Sequence, residues 1–234
     1  MEIEQALTTT GAVRAFSDTP VGDEIIARVL DRARFAPSGG NRQAWRVIVV
    51  KDRGLRERLR DLYLVGWYEY LAMNRAGLVP WAPVTDRQRE TEAIANAGGM
   101  AAASSATFDG FAERLDQVPA LLLMVADLRA LAAVDRDLPR YTLVGGASIY
   151  PFAWSIVLSA RAEGLGGVIT TMLVRSEAEV LGAIGAPDGF ALAAAIVLGY
   201  PAEPPPARLR RVAVGQCATL DRFDGPPLLA GPPA

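Results

Sequence analysis

Ala36-Pro37-Ser38-Gly39-Gly40-Asn41-Arg42-Gln43-Ala44-Trp45-Arg46-Val47-Ile48-Val49-Val50 joins an amphipathic helix to an apolar β-type segment. Pro37 stops the helix, because its ring removes a backbone donor and clashes with the preceding turn. Trp45 to Val50, with four β-branched residues in a row, reads as a buried strand. Between the two lie small and polar residues. They leave backbone N–H groups, the Ser38 hydroxyl and the amides of Asn41 and Gln43 free to bind a ligand.

Upstream, Asp23 is expected to cap a helix running to about Phe35. Its apolar residues Ile26, Val29, Leu30 and Ala33 recur at i, i+3, i+4 and i+7. Residues 1–20 are expected to form a short helix and a turn closing at Pro20. Downstream, residues 54–71 have helical spacing and many charges. Residues 74–117 break every period with Pro80, Pro83, a charged run near Arg87–Glu92 and the small residues of 98–105. The segment reads as a partly helical excursion, either a lid or binding loop or a surface insertion. Beyond it come an expected strand at 118–126 and a buried helix at 147–163 closed by Gly164. A strand at 166–171, a short helix at 177–184 and a strand at 191–199 follow. From about Pro201 a Pro-rich tail extends to Ala234; such a tail frays or wraps a partner subunit. The order α–α–β–α–excursion–β–α–β–α–β, without repeats, predicts a single α/β or α+β sandwich over residues 1–234.

Composition narrows the chemistry. The chain has 234 residues, 51% hydrophobic and 21% charged, which suits a globular domain with a sizeable core. A net charge of −2 argues against nucleic-acid binding. There is no histidine and one cysteine, Cys217. Zinc and haem sites lack their ligands, and an intramolecular disulfide is impossible. If the chain is an enzyme, a bound organic cofactor carries the reaction. Glu2 and Glu4 replace the basic start of a signal peptide, and the cysteine content suits a reducing cytoplasm. Residues 141–160 are uncharged for 20 positions, nominally enough to span a bilayer. Gly145, Gly146, Ser148, Pro151 and Ser155 favour a buried helix instead.

Nucleotide motifs fail. Gly164-Leu165-Gly166-Gly167 lacks the final glycine of G-x-G-x-x-G, because position 169 is Ile. It also lies between a helix and a strand, the reverse of a dinucleotide turn. There is no P-loop, and no carboxylate pair stands out for acid–base work. Arg14, Arg208, Arg210 and Arg211 could each clasp a phosphate or remain solvated surface charge.

Taken together, the pattern resembles the FMN-dependent nitroreductase family. The resemblance rests on Val13-Arg14-Ala15-Phe16 with Pro20-Val21, on Ala36-Pro37-Ser38-x-x-Asn41-x-Gln43-x-Trp45, on Ala162-Glu163-Gly164-Leu165-Gly166, and on Leu198-Gly199-Tyr200-Pro201. It implies an α+β three-layer sandwich, with a mostly antiparallel sheet between helices, assembled as a homodimer. It implies that Arg14 contacts the flavin. It implies that Pro37, Ser38, Gly39 and Asn41 reach FMN from the partner subunit, with Gln43 in the same block. Ile169, Thr170 and Thr171 match a strand end whose backbone lies by the isoalloxazine. One of Arg208, Arg210 or Arg211 matches a phosphate contact. No side chain is expected to be catalytic, since the flavin carries the chemistry.

The departures are specific. The family's Arg-Arg-Ser or Arg-His-Ser is Thr10-Gly11-Ala12 here, so a phosphate charge is lost and the C-terminal arginines are expected to compensate. Ala44 replaces the usual proline, and 74–117 matches nothing assignable. The implied activity is transfer of electrons from NADH or NADPH, through tightly bound FMN, to a nitroaromatic, quinone or similar small acceptor in a ping-pong cycle. Two alternatives stay open: a biosynthetic dehydrogenase or flavin-fragmenting relative, and a flavin-sequestering protein with little turnover. Neither a membrane nor a nucleic acid is an expected partner.

Overall fold

In the computed structural model, which describes residues 2–228, four strands form an antiparallel sheet in the order β1-β2-β4-β3. These are β1 (Trp45–Val50), β2 (Ala120–Asp127), β3 (Gly166–Thr170) and β4 (Phe190–Gly199). Alternation along the central strands divides the core in two. Leu122, Met124, Ala194 and Ile196 pack beneath α2 (Asp23–Ala33) and α6 (Tyr150–Ala162). Leu121, Leu123, Val125 and Val197 pack beneath α3 (Arg53–Arg75) and α7 (Glu177–Ala183). Both faces of the sheet are covered, so β2 reads as one unbroken apolar run. The result is the expected three-layer α+β sandwich.

The helices differ from expectation mainly at their ends. Gly22, not Asp23, occupies the N-cap of α2; the Asp23 carboxylate instead pairs with Lys51, just past β1. The third helix is longer than its spacing suggests. Asp52 caps it by accepting from Leu55 N at 2.7 Å, and it runs on to Arg75. The uncharged stretch 141–160 is half turn and half helix, and α6 is 13 residues long. Among the described residues no helix is long and apolar enough to cross a membrane. Gly164 closes α6 at φ +76°, while Leu165 N reaches back to Ala160 O at 3.0 Å. An L side chain there would strain the backbone, so glycine is required. Glu163 accepts from Arg28 at 2.8 Å and Arg32 at 2.6 Å, tying α6 to α2.

The chain's two ends close one sheet edge. After α1 (Ile3–Thr9), residue Ala12 bridges Gly167 of β3 in parallel, and Val13 N donates to Gly167 O at 2.9 Å. Phe16 bridges Pro201, Ser17 N donates to Tyr200 O at 2.9 Å, and Leu209 N donates to Thr8 O at 2.7 Å. The excursion 74–117 has more order than its sequence suggests. It holds α4 (Arg87–Ala95), capped by Asp86, and the short α5 (Ala101–Ser105). Its return is fixed by Arg56, which donates to Val50 O, Asp116 O and Val118 O at 2.9–3.1 Å. The tail adds α8 (Val214–Cys217) and a bridge between Thr219 and Pro227. Its last residues, 229–234, lie outside the described part.

Candidate active site

Arg14 is the centre of the site because no described residue neutralises it. It makes no ion pair with any described residue. Its guanidinium lies 4.4 Å over the ring of Phe108, a half-exposed residue of the excursion. Beneath it, α3 presents Tyr63, Trp67 and Tyr70 at i, i+4 and i+7. Tyr63 meets Phe111 edge-on at 6.4 Å, and Trp67 stacks on Tyr70 at 5.2 Å and faces Phe108 at 6.2 Å. A cleft of about 470 Å³ opens beside Arg14, between Phe16, Asp18, Arg56, Phe111 and Gln117.

The end of β3 adjoins this wall. Thr170 is buried, and its hydroxyl shares a hydrogen bond of 3.0 Å with the Tyr63 hydroxyl. Burial pushes the Tyr63 phenol up, against the opposing pull of that bond and of the nearby Arg14 charge. Ile169 packs toward the α2/α6 core, on the other face. Thr171 is exposed and stands beyond the β3–β4 register, so its N–H is not taken up by the ladder.

Arg208 and Arg210 flank Leu209, which is pinned to Thr8. Both are exposed, and neither has an acidic partner among the described residues. Arg211 turns back to donate to Arg210 O at 2.7 Å. Next to this segment the Thr10 hydroxyl is buried with no hydrogen-bond partner among the described residues. An orphaned buried hydroxyl is uncommon, and it marks a place suited to a further polar group.

Pro37 to Gln43 lie elsewhere. The loop precedes β1, at the sheet edge opposite β3. Two strands intervene, a separation of roughly 14 Å at ~4.8 Å per strand. The loop is held open by left-handed backbone at Gly40, Asn41 and Gln43, with φ of +60°, +52° and +50°. Ser38 Oγ accepts from Gln43 N at 3.0 Å, Ser148 Oγ accepts from Gly39 N at 3.0 Å, and Gln43 Nε2 donates to Asn41 O at 3.3 Å. The exposed Pro37, Gly39, Asn41 and Gln43 face outward. One chain therefore brings Arg14, Thr170 and Thr171 together, and leaves Pro37–Gln43 apart from them. Tyr63, Trp67, Phe108 and Phe111 were not anticipated, although the aromatic i, i+4, i+7 spacing on α3 was there to read.

Comparison with other proteins identifies the family. The sequence model of the Nitroreductase family matches residues 9–200. The chain belongs to the nitroreductase family. An NADH dehydrogenase from Thermus thermophilus is 26% identical over 203 residues, 87% of this chain and 88% of the relative. A shorter match, to a putative NADH dehydrogenase/NAD(P)H nitroreductase from Archaeoglobus fulgidus, is 35% identical over 65 residues and spans 37% of that relative. Among solved structures, a variant of the FMN and NADPH-dependent nitroreductase NfnB from sphigopyxis sp. strain HMH superposes with a TM-score of 0.64. It is 22% identical, and the match covers 95% of this chain and all of that one. At these identities the structural likeness shows the nitroreductase fold.

Proposed function

We propose that the protein is an FMN-dependent oxidoreductase. It draws electrons from NADH or NADPH and delivers them to a small acceptor of the nitroaromatic or quinone class, in alternating half-reactions. The observation that carries this reading is Arg14, a cation with no counter-ion among the described residues, beside a strand end whose N–H lies outside the β3–β4 ladder. The residues fit FMN: a cation with no ion pair among the described residues for the flavin ring, Arg208 and Arg210 beside the Thr10 segment for a phosphate, and an aromatic wall against water. Arg14 would hold the ring by its charge, and the Thr171 N–H would be available to donate toward it. Bound FMN would supply the hydride chemistry that protein side chains do not. Names of relatives, including an NADPH-flavin oxidoreductase of Vibrio harveyi, support the cofactor pair.

The site is read as shared between two copies of the chain. Pro37–Gln43 would meet Arg14 and Thr171 only across an interface, and isologous dimers are the commonest way to build one. Tyr150 and Trp154, one helical turn apart on α6, are exposed and suit that surface, while Phe152, Ala153, Ile156, Val157 and Ala160 are buried in the chain's own core. The excursion 74–117 is read as the wall over the site. The test is direct. Purified protein is expected to be yellow, to sediment as a dimer, and to bleach with NADH or NADPH under anaerobic conditions. A colourless chain that cannot be loaded with FMN overturns the cofactor. A yellow protein that never bleaches leaves a flavin store instead of an enzyme. A flavin-loaded monomer overturns the shared site.

A further inference from the structure

Helix α3 makes a row of contacts with residues 170–176 that ordinary core packing does not require. Tyr63 hydrogen-bonds Thr170 through the hydroxyls at 3.0 Å. One turn on, Gly66 lies so close to the chain after β3 that an added Cβ would come within 2.7 Å of Met172 O. Another turn on, Glu69 accepts from Arg175 Nε at 2.7 Å, and Arg175 also covers Trp81 at 5.4 Å. The spacing 63, 66, 69 runs along one face of the helix. These contacts bracket Thr171 on both sides while leaving Thr171 itself exposed. Tyr63 is in turn wedged by Trp67 and Phe111.

We infer that Tyr63, Gly66 and Glu69 form a splint that fixes the backbone of Thr170–Met172, and that Tyr63 and Thr170 are positioning residues for the reaction at the flavin. The inference rests on the reading that the Thr171 N–H faces the cofactor. A donor rigidly held discriminates between the oxidised and the more electron-rich reduced ring. A loosened donor adapts to both and discriminates less. Losing the Tyr63–Thr170 bond therefore weakens binding of reduced FMN relative to oxidised FMN, with little change in the affinity for the oxidised form.

The experiment is the midpoint potential of FMN-loaded wild type, Tyr63→Phe, Thr170→Val, the double variant and Thr170→Ser. Both single variants are expected to retain FMN within about twofold. Each is expected to lose about tenfold in relative affinity for the reduced form, a shift of about 30 mV for a two-electron couple. The double variant should shift no further than either single one, because each removes the same bond. Thr170→Ser keeps the hydroxyl and should return the wild-type potential. Because either partner can be changed alone, misfolding of one variant leaves the other to decide. Wild-type potentials in loaded Tyr63→Phe and Thr170→Val overturn this inference and leave the proposed function standing. A wild-type chain that takes up no FMN overturns both.

Discussion

Replacing Arg14 with alanine separates its part in folding from its part in binding. Folding should suffer little, because Arg14 has no ion pair with any described residue to lose. What it loses is the stack on Phe108 at 4.4 Å, and Phe108 is half exposed. An exposed cation–π contact is worth about 0.5–1 kcal/mol. Binding should suffer more. Thr10-Gly11-Ala12 supplies no second cation nearby, so the variant forfeits a charge-assisted hydrogen bond of about 1.5–3 kcal/mol. That corresponds to roughly 10- to 150-fold in the FMN dissociation constant. Fluorescence titration of the apoprotein with FMN gives the second quantity, and denaturant unfolding of the apoprotein gives the first. Arg14→Lys should recover part of the affinity, since it keeps the charge and loses the planar fork. Unchanged FMN affinity in Arg14→Ala, or a stability loss above about 2 kcal/mol with binding intact, would refute the assignment and leave Arg14 as a packing residue.

Glu163 makes the stability of the α2–α6 contact depend on pH. Hydrogen bonds from Arg28 and Arg32 hold its carboxyl below the usual range. Its contribution is therefore present above the unfolded value of about 4.3 and fades as pH falls through the lower folded value. Wild type and Glu163→Gln should differ in unfolding midpoint at pH 7, and the gap should narrow steadily as pH falls into acid; a gap independent of pH would contradict this. Gly164→Ala, at φ +76°, should destabilise the fold by about 1–2 kcal/mol in chemical denaturation, and a neutral result would mean the α6 terminus rearranges freely. Flavin reduction by NAD(P)H, followed by stopped flow, should change little between about pH 6 and 8, because the chain has no histidine. In the same assay Thr171→Ala should keep most of the rate, since the backbone N–H survives; a thousandfold loss would reveal side-chain chemistry.

Local signals in the sequence carried the elements whose cause is local. Trp45–Val50 is a strand with the expected bounds, and Gly164 ends its helix as its position suggests. Asp23 is different. Its type suits a cap, but Lys51, 28 residues later, captures the side chain, and Gly22 takes the cap position. No local rule contains that competitor. The excursion was opaque for a similar reason. Phe108, Phe111 and Trp81 gain their meaning only from Tyr63, Trp67 and Tyr70 on a helix many residues upstream. The charge-rich character of α3 also masked its aromatic stripe. The separation of Arg14 from Pro37–Gln43 depends on strand order, which motifs do not encode.

The bond from Leu209 N to Thr8 O joins positions about two hundred residues apart. During synthesis at ~5–20 residues per second, Arg14 emerges roughly 10–40 s before Leu209. For most of that interval β3 and β4 are not yet made, and the N-terminal segment has no sheet edge to join. The entropy of closing so long a loop is met only once both strands exist. Docking of the N-terminal segment is then a late event of synthesis. A chain ending before residue 199 has Arg14 but not the complete sheet edge against which its segment docks.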